Sequence, residues 1–198
     1  MKIFKRAVSI FLALALLFAL AACGNDGSGA ALSYPIESQP ECLDPQIAQG
    51  AEAKTVVLNC FEGLVRKDSE GKFSPAAAKS WSYDSASLTY TFKLREDARW
   101  VIMKKAYKSI LGDDIDNTFD SRVTAADFVF ALKRAVNPAT GAPEAMSLGV
   151  IKNAKSIING KLSPDKLGVS AVGDFELRIT LEHATDEAAF LDLLTKAV

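Results

Sequence analysis

LTYTFKL, residues 88–94, puts Leu88, Tyr90, Phe92 and Leu94 on one side of the chain and Thr89, Thr91 and Lys93 on the other. This period of two predicts a half-buried strand. Downstream, VTAADFVFALKRAV (123–136) changes period, with Phe128, Leu132, Ala135 and Val136 at helical spacing. Thr124 precedes that run with Asp127 three residues on, a capping-box-like start, and Asn137-Pro138 ends it. A half-buried strand followed by an amphipathic helix makes the chain mixed α/β.

Working outward, Trp81 to Tyr83 pairs with the strand across the DSAS turn, 84–87. The charged, Gly/Pro-bearing RKDSEGKFSP (66–75) reads as an exposed hairpin or loop. Before it, Val56, Val57, Cys60, Phe61, Leu64 and Val65 form one stripe, predicting a helix over Thr55–Val65 that carries Cys60 inward. After the central helix come a helix over Ile151–Asn159 stopped by Gly160, the loop SPDK (163–166), a strand pair at Gly168–Val172 and Phe175–Leu181, and a last helix from Thr185. That helix buries Phe190, Leu191 and Leu194 and runs to Lys196-Ala197-Val198 with no glycine or proline to stop it. Either the chain is cut off there or it is a short protein with a frayed last helix.

Two stretches stand outside this pattern. Lys2, Lys5 and Arg6 precede an apolar run from Ala7 to Ala22 that ends in Leu20-Ala21-Ala22-Cys23. This reads as a lipoprotein signal peptide over residues 1–22, too short for the roughly 20 residues of a spanning helix, although an uncleaved N-terminal helix is the alternative. Cys23 is then the lipidated N-terminus, and residues 23–30 form a flexible tether. The second stretch, 101–122, runs from basic KKAYK to acidic GDDIDNTFD and reads as a surface insertion. Asp114, Asp116 and Asp120 alternate like calcium ligands there, but the loop lacks the glycine and the closing glutamate such a site needs.

Composition narrows the function. Without residues 1–22 the chain has 20 basic and 24 acidic residues, a charge of 20 − 24 = −4, which argues against nucleic acid as a partner. Cys42 and Cys60 remain as a pair in an exported chain; a disulfide between them is the expectation, two buried free thiols the alternative. No CxxC is present and His183 is the single histidine, so zinc is not expected. GVSAVG (168–173) is one residue too long for a nucleophile elbow, and there is no phosphate or dinucleotide glycine loop. Neither enzymatic chemistry nor a cofactor is expected.

Five segments, in order, carry a resemblance: CLDPQIAQG (42–50), NCFEGLVRKDSEGKFSPAAAKSW (59–81), LTYTFKLREDARW (88–100), VTAADFVFALKRAVNPATGAPEA (123–145) and LGVSAVGDFELRITLEH (167–183). Together they resemble the family 5 extracellular solute-binding proteins, the oligopeptide- and dipeptide-binding receptors of ABC importers. The resemblance implies a periplasmic-binding-protein-like, two-lobed receptor that closes on its ligand. Residues 31–198 would supply the accessory domain and part of the first lobe. It also implies a peptide ligand, permease subunits as partners, a monomer, and a location outside the cytoplasmic membrane, lipid-anchored or periplasmic. Nickel-chelates, haem or another small solute are alternative ligands, and a fragment without independent binding is a further alternative.

For the site, the resemblance places Gln49, Gly50, Ala51 and Glu52 against the ligand, their main chain pairing with an extended peptide as an added strand would. Gln49 stands where the oligopeptide receptors carry an acidic residue. The 22 residues between Trp100 and Val123 replace a short Asp-Gly turn of the family.

Overall fold

The computed structural model describes residues 33–101 and 120–196, and divides the chain into a unit over Met1–Ile36 and a second over Glu37–Val198. The signal peptide, Cys23, the tether and most of the 101–122 insertion lie outside the described residues.

In the second unit the order is α1 (Ala51–Cys60), β1 (Val65–Lys67), β2 (Phe73–Pro75), β3 (Ala78–Asp84), β4 (Thr89–Leu94), α2 (Ala125–Val136), α3 (Ala154–Ile158), β5 (Val169–Ala171), β6 (Glu176–Thr180) and α4 (Glu187–Leu193). Single 3₁₀ turns at Pro138–Thr140, Ala145–Val150 and Pro164–Lys166 join the later elements. The chain is mixed helix and sheet.

LTYTFKL forms the second strand of an antiparallel sheet of order β3-β4-β6-β5. Trp81 faces Phe92 and Tyr83 faces Tyr90 across β3–β4, the pairing expected over the DSAS turn. Asp84 caps that turn, accepting from Ala86 N–H (3.0 Å) and Ser87 Oγ (2.7 Å), and Leu88, with φ 52°, closes it before the strand proper. Tyr90, Phe92, Leu94, Leu177 and Ile179 are buried on one face. The other face carries Ser82, Thr91, Lys93, Arg178 and Ser170, exposed or half-buried, so the sheet is covered on one side only.

The helix at Thr124 forms as its sequence signals. Asp127 Oδ2 accepts from Thr124 N–H (2.7 Å) and Oγ1 (3.0 Å), and Ala125, Phe128, Leu132, Ala135 and Val136 are buried as α2 packs on β5 and β6. The C-terminal strand pair and the last helix also form. Asp186 caps α4 by accepting from Ala189 N–H (2.9 Å), and Phe190, Leu191 and Leu194 are buried. The 66–75 segment is the β1–β2 hairpin.

Three expectations need correction. The first helix spans Ala51–Cys60, not Thr55–Val65, because the chain leaves it at Phe61 in an extended conformation. Leu64 and Val65 are buried, but as the entry to β1 rather than as helix. The helix placed at 151–159 is one short segment, α3, entered through Asn153 at φ 68°. Cys60 is exposed, not inward: it stands on the Ala53–Val57 stripe by spacing, but the helix ends at it and the stripe runs out of cover.

What is described of the insertion is its two ends. Trp100 N–H donates to Ser121 O (2.7 Å) and Val123 N–H to Ala98 O (3.1 Å), so residues 98–100 and 121–123 lie side by side. The excursion starts and returns at one place, and Arg122 anchors its return to Asp174 (2.9 Å).

Candidate functional site

The segment CLDPQIAQG is fixed before it reaches α1. Asp44 O accepts from Ile47 N–H (3.1 Å) and Ala48 N–H (2.8 Å), and Asp44 Oδ1 accepts from Gln46 N–H (3.0 Å), an Asx turn that Pro45 stiffens. Arg134, in the last turn of α2, grips this turn bidentately: Nη1 donates to Asp44 Oδ1 (2.9 Å) and Nη2 to Oδ2 (2.5 Å). Arg134 Nη1 also donates to Gln46 Oε1 (2.7 Å), and Gln46 Nε2 donates to Ala131 O (2.7 Å). A planar guanidinium on a carboxylate is the strong form of ion pair, so the turn is held in one orientation against α2.

The Arg134 guanidinium holds the Asp44 carboxyl below its ordinary value of 3.8, through its hydrogen bond first. A depressed folded pKa gives a stabilisation that is full above the unfolded value and lost as pH falls through the folded one. Asp44→Asn should therefore lower stability by about 1 kcal/mol at pH 7, a modest figure because both side chains are part-exposed. The gap in urea midpoint between wild type and variant should narrow as pH falls below 3.8; a gap that is the same at pH 7 and pH 3 would deny the pair this role.

From the turn the chain passes Gln49 and Gly50, both exposed. Gly50 has φ 83° and ψ 161°, a region closed to residues with a Cβ, and it is this angle rather than space that calls for glycine: an added Cβ would meet Glu52 at an ordinary 3.5 Å. Gly50 O accepts from Lys54 N–H (3.2 Å), the first bond of α1. The N–H groups of Gln49, Gly50, Ala51 and Glu52 have no partner among the described residues. The structure thus brings the four expected site residues together at one helix start. It changes what they can offer, because Ala51 and Glu52 are helical: Ala51 O already accepts from Thr55 Oγ1 (2.8 Å), so this stretch presents amide donors and not the alternating donors and acceptors of a strand.

Beside α1 lies an open hollow of about 310 Å³. Its apolar walls come from Val57 on α1, Ala135 on α2, Leu148, and Leu193 on α4; Lys54, Glu144 and Lys196 stand around it. Glu144 accepts from Lys196 Nζ, and Lys54 Nζ lies 3.8 Å from Glu144 Oε1. Volume and lining fit the lower end of small-ligand and side-chain pockets. Sequence reading missed Lys54, Glu144 and Lys196, which come from three separated segments, and it missed Arg134, 90 residues from its partner Asp44.

Cys42 and Cys60 do not form the expected disulfide here. Both are free thiols, Cys42 half-buried with its Sγ accepting from Asp44 N–H (3.4 Å), Cys60 exposed at the end of α1. His183 is exposed near the end of β6, away from the hollow's lining. No group of three or more metal-ligating side chains occurs among the described residues, and no described helix is long and apolar enough to cross a membrane.

Comparison with known proteins decides the family. The profile of the bacterial extracellular solute-binding proteins, family 5, middle part, matches residues 72–198. The chain belongs to the family 5 solute-binding proteins. Within that family it is 41% identical over 155 residues to the periplasmic oligopeptide-binding protein OppA of Haemophilus influenzae, covering 77% of this chain and 25% of that protein. The structure of the Escherichia coli murein tripeptide binding protein MppA superposes with a TM-score of 0.65 at 35% identity, over 81% of this chain and 28% of that one. Haemophilus influenzae OppA, in complex with the peptide RPPGFSPFR, gives a TM-score of 0.63 at 37% identity, over 80% of this chain and 28% of that one. The chain therefore spans about a quarter of the length of these family 5 relatives. The names of these relatives are those of binding proteins rather than enzymes.

Proposed function

We propose that this chain forms the N-terminal part of the substrate-binding component of an ABC importer, which binds oligopeptides or dipeptides outside the cytoplasmic membrane and delivers them to permease subunits. The observation that carries the reading is the likeness, at 37% identity, to a receptor whose structure holds a nonapeptide, together with a pre-formed hollow beside an exposed run of free amide groups. The protein acts by closing on its ligand and does no chemistry of its own.

In this reading Gln49, Gly50, Ala51 and Glu52 offer their N–H groups to carbonyl oxygens of the bound peptide. Backbone donors serve any sequence, since every peptide repeats the same acceptor. The apolar hollow takes a side chain. Residues 1–22 direct export, Cys23 carries the lipid that ties the protein to the outer face of the membrane, 23–30 are the tether, and the receptor works as a monomer. Residues 101–122 are an insertion that extends the accessory domain.

Thermal-shift titration of the intact gene product with mixed oligopeptides tests the reading. Ligand at a hundredfold excess over Kd should stabilise the protein by about 2.7 kcal/mol. Absence of a shift with every di- to nonapeptide tried would sink it. Mass spectrometry of membrane-fraction protein should find a diacylglycerol adduct on Cys23; an unmodified N-terminus beginning before residue 23 would remove the lipid anchor.

A further inference from the structure

The hollow is unequally charged at its mouth. Two ammonium groups, Lys54 and Lys196, flank one carboxylate, Glu144. Lys196 donates directly to Glu144, and its hydrogen bond is the main cause that holds the Glu144 carboxyl below its ordinary value, so this carboxylate is ionised at neutral pH and matched to one lysine. Lys54 Nζ stands 3.8 Å from the same carboxylate, outside hydrogen-bond distance, and has no other side-chain partner among the described residues. It sits in the first turn of α1, where the unpaired N–H groups add a partial positive charge. Glu52 shares that turn but does not line the hollow. Among the described residues the lining therefore sets two lysines against one carboxylate that both share, a net charge of about one positive unit beside the apolar Val57, Leu148 and Leu193.

We propose that this hollow gives the receptor a preference for peptides in which an apolar side chain is followed or preceded, two positions away, by an acidic one. The apolar side chain packs on these apolar residues, and the acidic carboxylate pairs with Lys54. The two-residue spacing follows from the extended chain, in which residues i and i+2 point to the same face. This rests on the reading of the protein as a peptide receptor and adds a selectivity that the free amides of residues 49–52, which meet only main chain, cannot supply.

The test is calorimetric titration of the intact gene product with two heptapeptides, Ala-Glu-Ala-Leu-Ala-Glu-Ala and the same peptide with Gln for both Glu, so that either chain direction presents the acid. Wild type should bind the acidic peptide about three- to fivefold more tightly, the effect of one solvent-accessible ion pair, and the preference should shrink as salt rises. Lys54→Gln should abolish the preference and leave the affinity for the neutral peptide within about twofold, at an unchanged melting temperature. Equal affinities in wild type, or a preference that survives Lys54→Gln, overturn the proposal while leaving the peptide-receptor reading intact. Binding of neither peptide, with none of the wider peptide set binding, overturns both.

Discussion

Phe190→Ala is expected to cost about 3–5 kcal/mol, the usual range for emptying a fully buried aromatic site. Phe190 has no exposed surface, and its ring lies 4.6 Å from that of Tyr90, in the middle of the covered face of the sheet. Tyr90 in turn stacks on Tyr83 at 4.4 Å and neighbours Phe92 at 6.1 Å, so one ring supplied by α4 completes a run of aromatics contributed by β3 and β4. α4 is only seven residues long and cannot hold its shape by propensity. Its docking depends on Phe190, Leu191 and Leu194. Since domain stabilities run to about 5–15 kcal/mol, the variant should sit close to unfolding. Urea denaturation followed by circular dichroism measures the loss, and a cost below about 1 kcal/mol would show that α4 does not close this core.

The second large effect belongs to Gly63. An added Cβ there would lie 2.3 Å from Leu194 O and 2.7 and 2.8 Å from the Thr195 carbonyl carbon and oxygen. These are backbone atoms and cannot swing aside. Gly63→Ala must push the entry to β1 away from the end of α4, weakening the bond from Val65 N–H to Leu194 O (3.3 Å) and the ion pair from Lys67 to Asp192 (2.7 Å). The expected loss is about 3 kcal/mol, the upper part of the range for overpacking. Gly71 is the control: its φ of 81° makes an alanine strained, but the one nearby atom is the flexible end of Lys67 at 3.8 Å, so Gly71→Ala should cost about 1 kcal/mol. Equal costs at the two positions would mean that the close approach at Gly63 relaxes without penalty.

Both effects bear on the candidate site. Leu193 and Lys196, at the end of α4, form one side of the hollow, and Val57 on α1 forms another. Gly63 lies between α1 and β1, and its backbone packs against that of Leu194 and Thr195, next to the Leu193 and Lys196 that line the hollow. A substitution that opens this contact should loosen the hollow as well as the fold.

Much of this was legible in the sequence, and the successes share a cause. The alternation in LTYTFKL, the Thr124–Asp127 cap, the hairpin in RKDSEGKFSP and the stripe of Phe190, Leu191 and Leu194 are all written within a few residues, and the forces behind them act over that distance. Local and distant preferences conflict at one place: the apolar spacing through Cys60, Phe61, Leu64 and Val65 fits a helix, but Gly63 and the pairing of β1 with β2 pull the chain into extended form. Cys60 lost its cover for the same reason.

By itself, then, the sequence determined the period of each element, its caps and stops, the one-sided burial of the sheet, and, through five ordered segments, the family. Only the tertiary structure decided that Arg134 holds Asp44, that Gln49–Glu52 present amide donors at a helix start instead of a strand edge, and that Lys54, Glu144 and Lys196 meet around one hollow. The physical reason is separation along the chain. Arg134 and Asp44 are 90 residues apart and Lys196 and Glu144 are 52, and no local pattern records which distant partner a charge will meet once the sheet and its helices have packed.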